Sequence, residues 1–320
     1  MPKEEDAVQL EGIHHITAIT ENAQDNVDFY AGVLGLRLVK KTVNQDNPTV
    51  YHLFYADEKG DPGSDLTFFE YPGVPQGRAG AGMVHTVVWR VGSDESIAFW
   101  EQRLSDNGTE SERRDGRLHF SDPEGLDHEL VVEDVPDSPL IADHPEVPAE
   151  LALQGFGAAR AYSPAPDTST ALLEKLGFER HEDSEFARDG AGWELRGDSR
   201  GGLWAYDAPP AEPGLQGAGS VHHIAWASQI DDHEAWRERA IEAGAHPTPV
   251  IDRFYFKSIY FREPSGVLFE IATLGPGFSV DEPVEHLGEK LSLPPDYEHL
   301  RAEVEPKLRP IENPRAAAAR

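Results

Sequence analysis

Two short apolar stretches of this 320-residue chain each carry a pair of adjacent histidines. The first is EGIHHITAIT, residues 11–20, and the second is SVHHIAWAS, residues 220–228. A single histidine in such a stretch is usually a core residue with a backbone partner, whereas a repeated pair indicates a further role. Because the chain has no cysteine, any metal site must use histidine, aspartate or glutamate ligands. The two pairs are therefore the first candidates for metal ligands.

The histidine pairs belong to a pattern that occurs four times along the chain. Each copy begins with a short apolar strand, continues into an amphipathic helix and ends that helix at a glycine. The strands begin near Gly12, Gly82, Gly155 and Val221, and the helices end at Gly35, Gly108, Gly177 and Gly244. Strand-like segments separated by turns follow each glycine, as in KSIYFREPSGVLFEIAT, residues 257–273.

The repeat predicts an α+β fold of four βαβββ modules that form two open mixed β-barrel halves. Residues 8–135 are expected to form an N-terminal domain of two modules, and residues 150–276 a C-terminal domain of two modules. A proline-rich, acidic stretch marks the boundary between them. Residues 277–320 are expected to form a tail that ends in a frayed ENPRAAAAR segment. The tail should contain one helix, whose apolar side carries Leu300, Val304 and Leu308.

Comparison of the four copies selects the second histidine of each pair as the ligand. Module two has one histidine in this strand, His85, and the alignment matches it to His15 and His223. Because side chains alternate between the two faces of a strand, His14 and His222 are expected to point to the opposite side. His15 and His223 are therefore the predicted ligands.

A candidate carboxylate ligand comes from the hairpin around Pro264-Ser265-Gly266. Tyr260 and Glu270 are equally far from Ser265 along the chain, so they should lie directly opposite each other. If modules one and four meet, Glu270 joins the two ligand histidines. The equivalent of Glu270 in module one, counted from Pro62, is Phe68, so a single carboxylate is expected.

Two histidines and one carboxylate, with open positions on one side, are the ligand set with which non-haem Fe(II) activates dioxygen. The predicted metal is Fe(II), and Mn(II) would suit the same ligands. The same ligand set suits O2 and an anionic phenolate as the groups that bind the metal. The sequence has no GxGxxG or P-loop pattern, in agreement with a reaction that needs no organic cofactor.

Several segments of the chain carry a family resemblance: LEGIHHITAIT, DFYAGVLGLRLVKKTVNQD, GSVHHIAWAS, DRFYFKSIYFREPSGVLFEIAT and LGEKLSLPP. They resemble the vicinal oxygen chelate superfamily of glyoxalases, bleomycin-resistance proteins and dioxygenases, whose paired βαβββ modules form open barrels around a metal. Within it, the chain is similar to ring-cleaving dioxygenases of the hydroquinone 1,2-dioxygenase type. The partners that this resemblance implies are a small aromatic diol and O2. The resemblance runs from about Leu10 into the tail.

The resemblance implies that His15, His223 and Glu270 bind iron, in agreement with the repeat. It also implies roles around the metal or the substrate for five further residues: His14, Thr17, His222, Arg253 and Tyr260. Tyr260 is the first choice for a hydrogen bond to the substrate, and His222 is an alternative acid or base.

Two other functions remain open on the same fold. One is a glyoxalase-like lyase or isomerase, which usually has two carboxylate ligands, and the other is a non-catalytic resistance protein that binds a small molecule. A rival cluster of His85, His119 and Glu129 in module two is either a second metal site or a decayed duplicate. Ala158 stands where module three should supply its second ligand.

The net charge of -30 disfavours nucleic acid and anionic membranes as partners, because both require basic surfaces. Such a charge is expected in a halophilic protein, since salt screens the repulsion between carboxylates. No run of 18 apolar residues and no secretory signal are found in the sequence, which predicts a cytoplasmic protein without a membrane span. The resemblance also implies a homo-oligomer.

Overall fold

The computed structural model of this chain describes residues 8–181, 186 and 192–315. The strands of the described part are β1 (Leu10–Thr20), β2 (Arg37–Asn44), β3 (Asn47–Ala56), β4 (Asp65–Glu70), β5 (Val84–Val91), β6 (Ser111–Arg114), β7 (Arg117–Ser121), β8 (Asp127–Val132), β9 (Phe156–Tyr162), β10 (Glu179–His181), β11 (Gly192–Arg196), β12 (Gly201–Asp207), β13 (Val221–Ser228), β14 (Ile251–Asp252), β15 (Lys257–Arg262) and β16 (Leu268–Thr273).

The α-helices are α1 (Ala23–Val27), which continues as a π-helix (Asp28–Val33), α2 (Asp94–Asp106), α3 (Thr170–Lys175), α4 (His233–Glu242) and α5 (Arg301–Val304). Short 3₁₀ helices cover Ala149–Leu151, Pro166–Ser169, Phe278–Val280, Val284–His286, Pro295–Leu300 and Glu305–Lys307. Over the residues that the structure describes, no helix has the length and apolar character needed to cross a membrane.

These elements follow one another as four βαβββ modules, which confirms the predicted α+β fold. They form two eight-stranded sheets. The first has the strand order β14-β15-β16-β13-β1-β4-β3-β2, and the second has the order β10-β11-β12-β9-β5-β8-β7-β6. The first sheet therefore joins module one to module four, and the second joins module two to module three. Each sheet is mixed, because the first and last strands of a module pair in parallel.

Local sequence signals explain where the helices begin and end. Asn22 caps α1 by accepting hydrogen bonds from the first backbone N–H groups, and Ser93 does the same for α2. The chain leaves α2 at Gly108 with φ of 76° and leaves α4 at Gly244 with φ of 86°. Left-handed backbone of this kind favours glycine, so the predicted helix ends are confirmed.

The core that holds the two sheets together is rich in tryptophan. All six tryptophans of the sequence are less than 2% exposed: Trp89, Trp100, Trp193, Trp204, Trp226 and Trp236. Trp204 of the second sheet and Trp226 of the first lie with their ring centroids 6.0 Å apart. Because one hydrophobic cluster contains residues of all four modules, the outer faces of the two sheets pack on each other.

Residues 274–293, which we call the strap, run from the end of the interior strand β16 to the edge strand β2 of the first sheet. The strap starts after β16, and its Ser292 N–H donates a hydrogen bond to the backbone of β2. It also covers Lys40 of β2, whose ammonium group is completely buried and binds Asp281 and Glu282. A buried lysine is costly unless it is paired, so the two strap carboxylates stabilise this side of the sheet.

The tail after the strap consists of short turns around α5. Pro306 cannot donate a backbone hydrogen bond, and the predicted helix breaks there into α and 3₁₀ segments. Its predicted apolar side is confirmed, because Val304 and Leu308 are buried and Leu300 packs on the main core. Residues 316–320, at the end of the ENPRAAAAR segment, lie outside the described residues.

Replacing Gly288 by alanine should displace the strap. Gly288 has φ of 75°, and a Cβ at this position would lie 1.9 Å from the carbonyl oxygen of Leu38 in β2. We expect Gly288→Ala to lower the free energy of unfolding by more than the ~1–2 kcal/mol that a left-handed alanine costs, because the strap backbone must also move. Chemical denaturation measures the loss.

Gly108→Ala is the matched control for this substitution. Gly108 has nearly the same φ, 76°, but its Cβ would meet no atom within 4 Å. It should therefore cost only the backbone term of about 1–2 kcal/mol. Equal losses in the two variants would show that the contact with β2 is not important.

Candidate metal centre and substrate pocket

The central strand β1 carries a β-bulge at its histidine pair. In its antiparallel pairing with β13, Ile13 lies opposite Trp226, whereas His15 lies opposite Ala225. Two steps along β1 therefore match one step along β13, and His14 is the extra residue.

The partner strand β13 carries a second bulge, related to the first by the approximate twofold symmetry of the sheet. Here Thr17 lies opposite His223 and Ala18 lies opposite Val221, so His222 is the extra residue. Both histidine pairs thus consist of a bulge residue followed by a regularly paired residue.

The expectation that strand alternation places His14 and His222 on the opposite side of the strand from His15 and His223 is wrong. The Nδ1 atoms of His14 and His15 are 2.9 Å apart, and those of His222 and His223 are 2.8 Å apart. The strict alternation of a strand fails here because a bulge adds one residue and bends the strand locally. Each pair therefore acts as a unit of two contacting rings.

The second histidines and Glu270 converge on one point inside the first sheet. His15 Nε2 lies 3.2 Å from His223 Nε2, and Glu270 Oε2 lies 3.2 Å from the former and 2.9 Å from the latter. All three side chains are buried, with Glu270 0% exposed. Within the described part of the chain, they form the one group of three His, Asp or Glu side chains able to hold a metal ion.

The spacing of these three atoms fits a metal ion. Neighbouring ligands of an octahedral ion at about 2.1 Å are about 3.0 Å apart, which agrees with the observed triangle of donor atoms. Both oxygens of Glu270 are sealed from solvent, and neither forms a well-directed hydrogen bond. A buried carboxylate in that state is costly, and a cation at the centre of the triangle would compensate its charge.

The charges of the ligand group also suit a metal. Burial by itself would raise the pKa of Glu270, but His15 and His223 hold it well below its ordinary value. Burial lowers the pKa of His223, although Glu270 acts in the opposite direction. A charged carboxylate and a neutral imidazole are the protonation states that bind metals.

His14 determines which nitrogen of His15 is free to bind a metal. The Nε2 of His14 lies 3.1 Å from the carbonyl oxygen of Thr273, which can only accept, so Nε2 carries the proton. Burial, together with His15, lowers the pKa of His14 to about 3, so the ring is neutral and its Nδ1 accepts from Nδ1–H of His15. The Nε2 of His15 is then left without a proton and faces the ligand group.

The position that corresponds to Glu270 in module one is Thr67, and the expected Phe68 is wrong by one residue. Glu270 pairs with Ala225, and Thr67 pairs with Thr17, in each case two residues beyond the ligand histidine. Phe68 instead belongs to the hydrophobic core. The expectation of a single carboxylate ligand therefore stands.

Thr17 lies behind the ligand group and does not line the cavity. Its Oγ1 is 2.8 Å from Oγ1 of Thr67, which is in turn 3.0 Å from Nε2 of His52. Neither Thr67 nor His52 was predicted from the sequence as a site residue. A signal for both residues exists in the hairpin of module one, which is equivalent to the hairpin of Tyr260 and Glu270 in module four. In that hairpin Phe54 lies opposite Thr67.

Tyr260 lies directly opposite Glu270, as predicted, and Arg253 lies beside it. The Nε of Arg253 donates to the Tyr260 hydroxyl over 3.3 Å, and Asp46, also missed by the sequence analysis, pairs with the guanidinium over 3.1 Å. Burial raises the pKa of Tyr260, and the charge of Glu270 raises it further, so the phenol keeps its proton. Its O–H can donate a hydrogen bond.

A cavity of about 420 Å³ opens in front of these groups. His15, His223, Glu270, Arg253 and Tyr260 all line it. The apolar and aromatic part of its wall consists of Val43, Phe54, Phe69, Tyr71, Ile251, Tyr255, Phe256 and Leu268. Of the predicted site residues, His222 also reaches this wall, whereas His14 and Thr17 support it from behind.

The second sheet has lost most of the corresponding ligand set. By the register of the two sheets, the position of His15 is occupied by Ala158 in the second sheet, and that of His223 by Thr86. Only Glu270 has a counterpart that can bind a metal, Glu129. His85 is the extra residue of a bulge and so corresponds to His222, which corrects its expected match to His223. The earlier alignment failed because a bulge shifts the register by one residue.

The polar groups of the rival cluster are paired with other partners. His85 Nε2 lies 3.0 Å from Asp207, and Glu129 pairs with the buried Arg117. The distance from His119 Nδ1 to Glu129 is 3.8 Å. Among the described residues, this cluster does not bring three ligand atoms together, which supports the decayed-duplicate interpretation.

Paired βαβββ modules around two histidines and one glutamate define a glyoxalase-type fold with a candidate metal centre. The chain belongs to the Glyoxalase/Bleomycin resistance protein/Dioxygenase superfamily, whose family model matches residues 12–130 and 159–271. The superfamily predicted from the sequence is thereby confirmed.

Individual relatives cover almost the whole chain. MhqO of Bacillus subtilis, named as a candidate ring-cleaving dioxygenase, is 43% identical over 308 residues, which are 94% of this chain and 96% of that protein. Chlorohydroquinone/hydroquinone 1,2-dioxygenase of Sphingobium indicum is 33% identical over 336 residues, covering 96% and 97%. The crystal structure of a candidate dioxygenase from Bacillus subtilis is 42% identical with a TM-score of 0.87, covering 96% and 99%.

Glu270→Gln should remove tight metal binding, because it takes the one negative charge out of the ligand group. We expect the dissociation constant for Fe(II) to rise by more than the roughly 10–100-fold that follows loss of an outer-shell partner. Anaerobic calorimetry and metal analysis after gel filtration measure the change. Glu129→Gln, at the matching position of the second sheet, should retain the metal. Loss of the metal in Glu129→Gln but not in Glu270→Gln would show that the metal binds in the second sheet.

His14→Phe should weaken metal binding about 10–100-fold, since His15 loses the group that fixes its free nitrogen. His222→Phe should have a smaller effect. His14 is buried and anchored on Thr273, whereas His222 is exposed, so water can replace its Nδ1. Metal titration of both variants measures the difference, and an equal or larger loss in His222→Phe would contradict this account.

Proposed function

We propose that this protein is an Fe(II)-dependent, extradiol-type ring-cleaving dioxygenase that opens hydroquinone, with or without ring substituents, with O2. The observation that carries the proposal is the convergence of His15, His223 and Glu270, whose donor atoms lie within 3.2 Å of one another at the wall of an apolar cavity. This ligand set leaves coordination positions open toward the cavity, as oxygen-activating non-haem iron requires.

The names of the relatives support the same activity. MhqO is named as a candidate ring-cleaving dioxygenase, and the Sphingobium indicum protein is named for hydroquinone and chlorohydroquinone. Thr67, at the position of a second carboxylate, disfavours the glyoxalase-like alternative, in which two carboxylates bind the metal and one acts as base. The retained ligand trio disfavours a resistance protein that only binds its ligand.

His15, His223 and Glu270 would hold the Fe(II), and Mn(II) suits the same nitrogen and oxygen donors. When bound, the metal supplies a meeting point for an anionic substrate oxygen and O2, between which it passes electron density. The protein contributes the position and protonation of the groups around that point.

The cavity wall suits an aromatic ring. Its volume of about 420 Å³ lies in the range of small-molecule sites, and its aromatic side chains favour a flat apolar ligand. The ring would enter between the sheet edges near Asp46 and Arg253 and place one hydroxyl at the ligand group. Substituents on the ring can be accommodated, since the cavity exceeds the size of one benzene ring.

Tyr260 and Arg253 are the residues proposed to contact the reacting oxygens. Tyr260 accepts a hydrogen bond from Arg253 and keeps its own proton, so its O–H can donate to a substrate oxygen. Asp46 holds the guanidinium in this position from the side of the solvent. Such a fixed donor stabilises negative charge as it develops, without reorganisation of water.

The reaction balances without a further reductant. Cleavage breaks the ring bond between a hydroxyl-bearing carbon and its neighbour, and each of these carbons receives one oxygen atom of O2. The first carbon becomes a carboxylate and the second an aldehyde. The diol itself supplies the electrons, which agrees with a site that needs a metal and no organic cofactor.

The proposal predicts that the Fe(II)-loaded protein consumes one O2 per hydroquinone and incorporates both oxygen atoms. Loading is done anaerobically, and an oxygen electrode, product absorbance and mass spectrometry with ¹⁸O2 follow the reaction. Tyr260→Phe should lower kcat by about 10–1,000-fold if the donor acts in the transition state.

Two results would contradict the proposal. One is the absence of O2 uptake with para- and ortho-dihydroxybenzenes in protein that has bound Fe(II). The other is turnover in the absence of O2, which would indicate an isomerase or lyase. His85→Gln, outside the first sheet, is the control variant and should retain full activity.

A further inference from the structure

The cavity contains an imidazole, that of His52, which neither belongs to the two histidine pairs nor has a role in the proposed function. His52 of β3 lines the cavity, with its ring between Phe54 and Phe69 at centroid distances of 3.9 and 4.4 Å. Its Nε2 lies 3.0 Å from the Thr67 hydroxyl, and its Nδ1 has no hydrogen-bond partner among the described residues. One nitrogen is thus fixed by the protein, and the other is available to a ligand.

The symmetry of the sheet shows why a hydroxyl stands behind this ring. Thr67 occupies in module one the place that Glu270 occupies in module four. A carboxylate at this position would be a fourth metal ligand, whereas Thr67 does not bind the metal and contacts His52 instead. The replacement therefore both opens a coordination position and fixes a second polar group in the wall.

We propose that His52 contacts the substrate and hydrogen-bonds the ring hydroxyl that does not bind the metal, while Thr67 and Thr17 orient its imidazole. The inference rests on the proposed function, because it takes the substrate to be a dihydroxybenzene. It assigns the selection of a diol over a simple phenol to a residue outside the ligand group.

The two threonine hydroxyls behind His52 allow either of its ring nitrogens to carry the proton. Thr17 Oγ1, Thr67 Oγ1 and His52 Nε2 follow one another at 2.8 and 3.0 Å, and either hydroxyl can donate. If Thr67 donates to Nε2, then Nδ1–H is a donor toward the cavity. If Nε2–H donates to Thr67, then Nδ1 is an acceptor. A neutral imidazole can therefore match either a phenol or a phenolate without any change of net charge.

The surroundings support this neutral form. Burial lowers the pKa of His52 well below its ordinary value, and the neighbouring His15 and His223 lower it further. The flanking Phe54 and Phe69 side chains carry no hydrogen-bonding atom, so a ring hydroxyl placed against this part of the wall depends on His52. The amide of Asn44, another polar group of the lining, already donates to Tyr71 over 2.9 Å.

The test compares two ligands of the same shape. Hydroquinone and 4-methylphenol differ by exchange of one hydroxyl for a methyl group. Binding of each to the Fe(II)-loaded protein is measured anaerobically by calorimetry, so that the readout does not depend on turnover. We expect the wild type to prefer hydroquinone by about tenfold, the value of one good hydrogen bond.

His52→Phe should bind both ligands with nearly equal affinity while its metal content stays normal. Thr67→Val should reduce the preference about two- to fivefold, because the imidazole remains but is no longer oriented. The matched controls are His85→Phe and Thr86→Val in the second sheet, which should leave the preference unchanged. In turnover, His52→Phe should raise KM for hydroquinone more than it lowers kcat.

The inference is overturned if His52→Phe keeps the wild-type preference, or if the wild type binds the two ligands equally or binds neither. Failure of the proposed function has a different signature. In that case the wild type prefers hydroquinone and the His52→Phe variant does not, but the wild type consumes no O2 when air is admitted.

Discussion

The antiparallel pairing of β1 with β13 is the constraint on which the candidate site depends. This pairing joins module one to module four across most of the chain length and places the two histidine pairs side by side. The two bulges then turn each pair into one ring that faces the centre and one that supports it. A regular pairing would have put His14 and His222 on the other face.

A buried negative charge governs what surrounds this centre. Glu270 has no access to solvent, and a cation held between it, His15 and His223 would compensate its charge. The hydrogen bond from His14 to the Thr273 carbonyl fixes the proton on Nε2 of His14, so that His15 donates through Nδ1 and keeps its Nε2 free for a metal. Tyr260 and Arg253 provide donors on the cavity side, so the site is prepared for an anionic ligand in an otherwise apolar wall.

The two sheets show how the same module can keep or lose a site. The second sheet also encloses a cavity, of about 480 Å³, at the position related to the metal centre. There Arg160 and His85 bind Asp207, and Arg117 binds Glu129, so the charges cancel within the protein. Asp207 and Glu129 are therefore already paired within the protein, unlike Glu270 of the first sheet, whose oxygens have no hydrogen-bond partner among the described residues.

The three ligand candidates were predicted, although the match of His85 to His223 that selected the second histidine of each pair is wrong. The sequence by itself determined the repeat, the four βαβββ modules and the helix ends. These follow from local signals, namely period-two and helical patterns, capping residues and turn glycines, which need no knowledge of distant contacts. The opposition of Tyr260 and Glu270 was predictable for the same reason, since a tight turn fixes the register of its hairpin.

Only the tertiary structure decided the orientation of His14 and His222, the match of Thr67 to Glu270, and the place of His52. Each depends on a bulge or on a register between strands that are far apart in sequence. One inserted residue shifts such a register by one step, and counting along the chain cannot detect it. The partners of Lys40 and Arg253 were hidden for a related reason, because the strap and the β2–β3 turn reach them only after the sheet has curled.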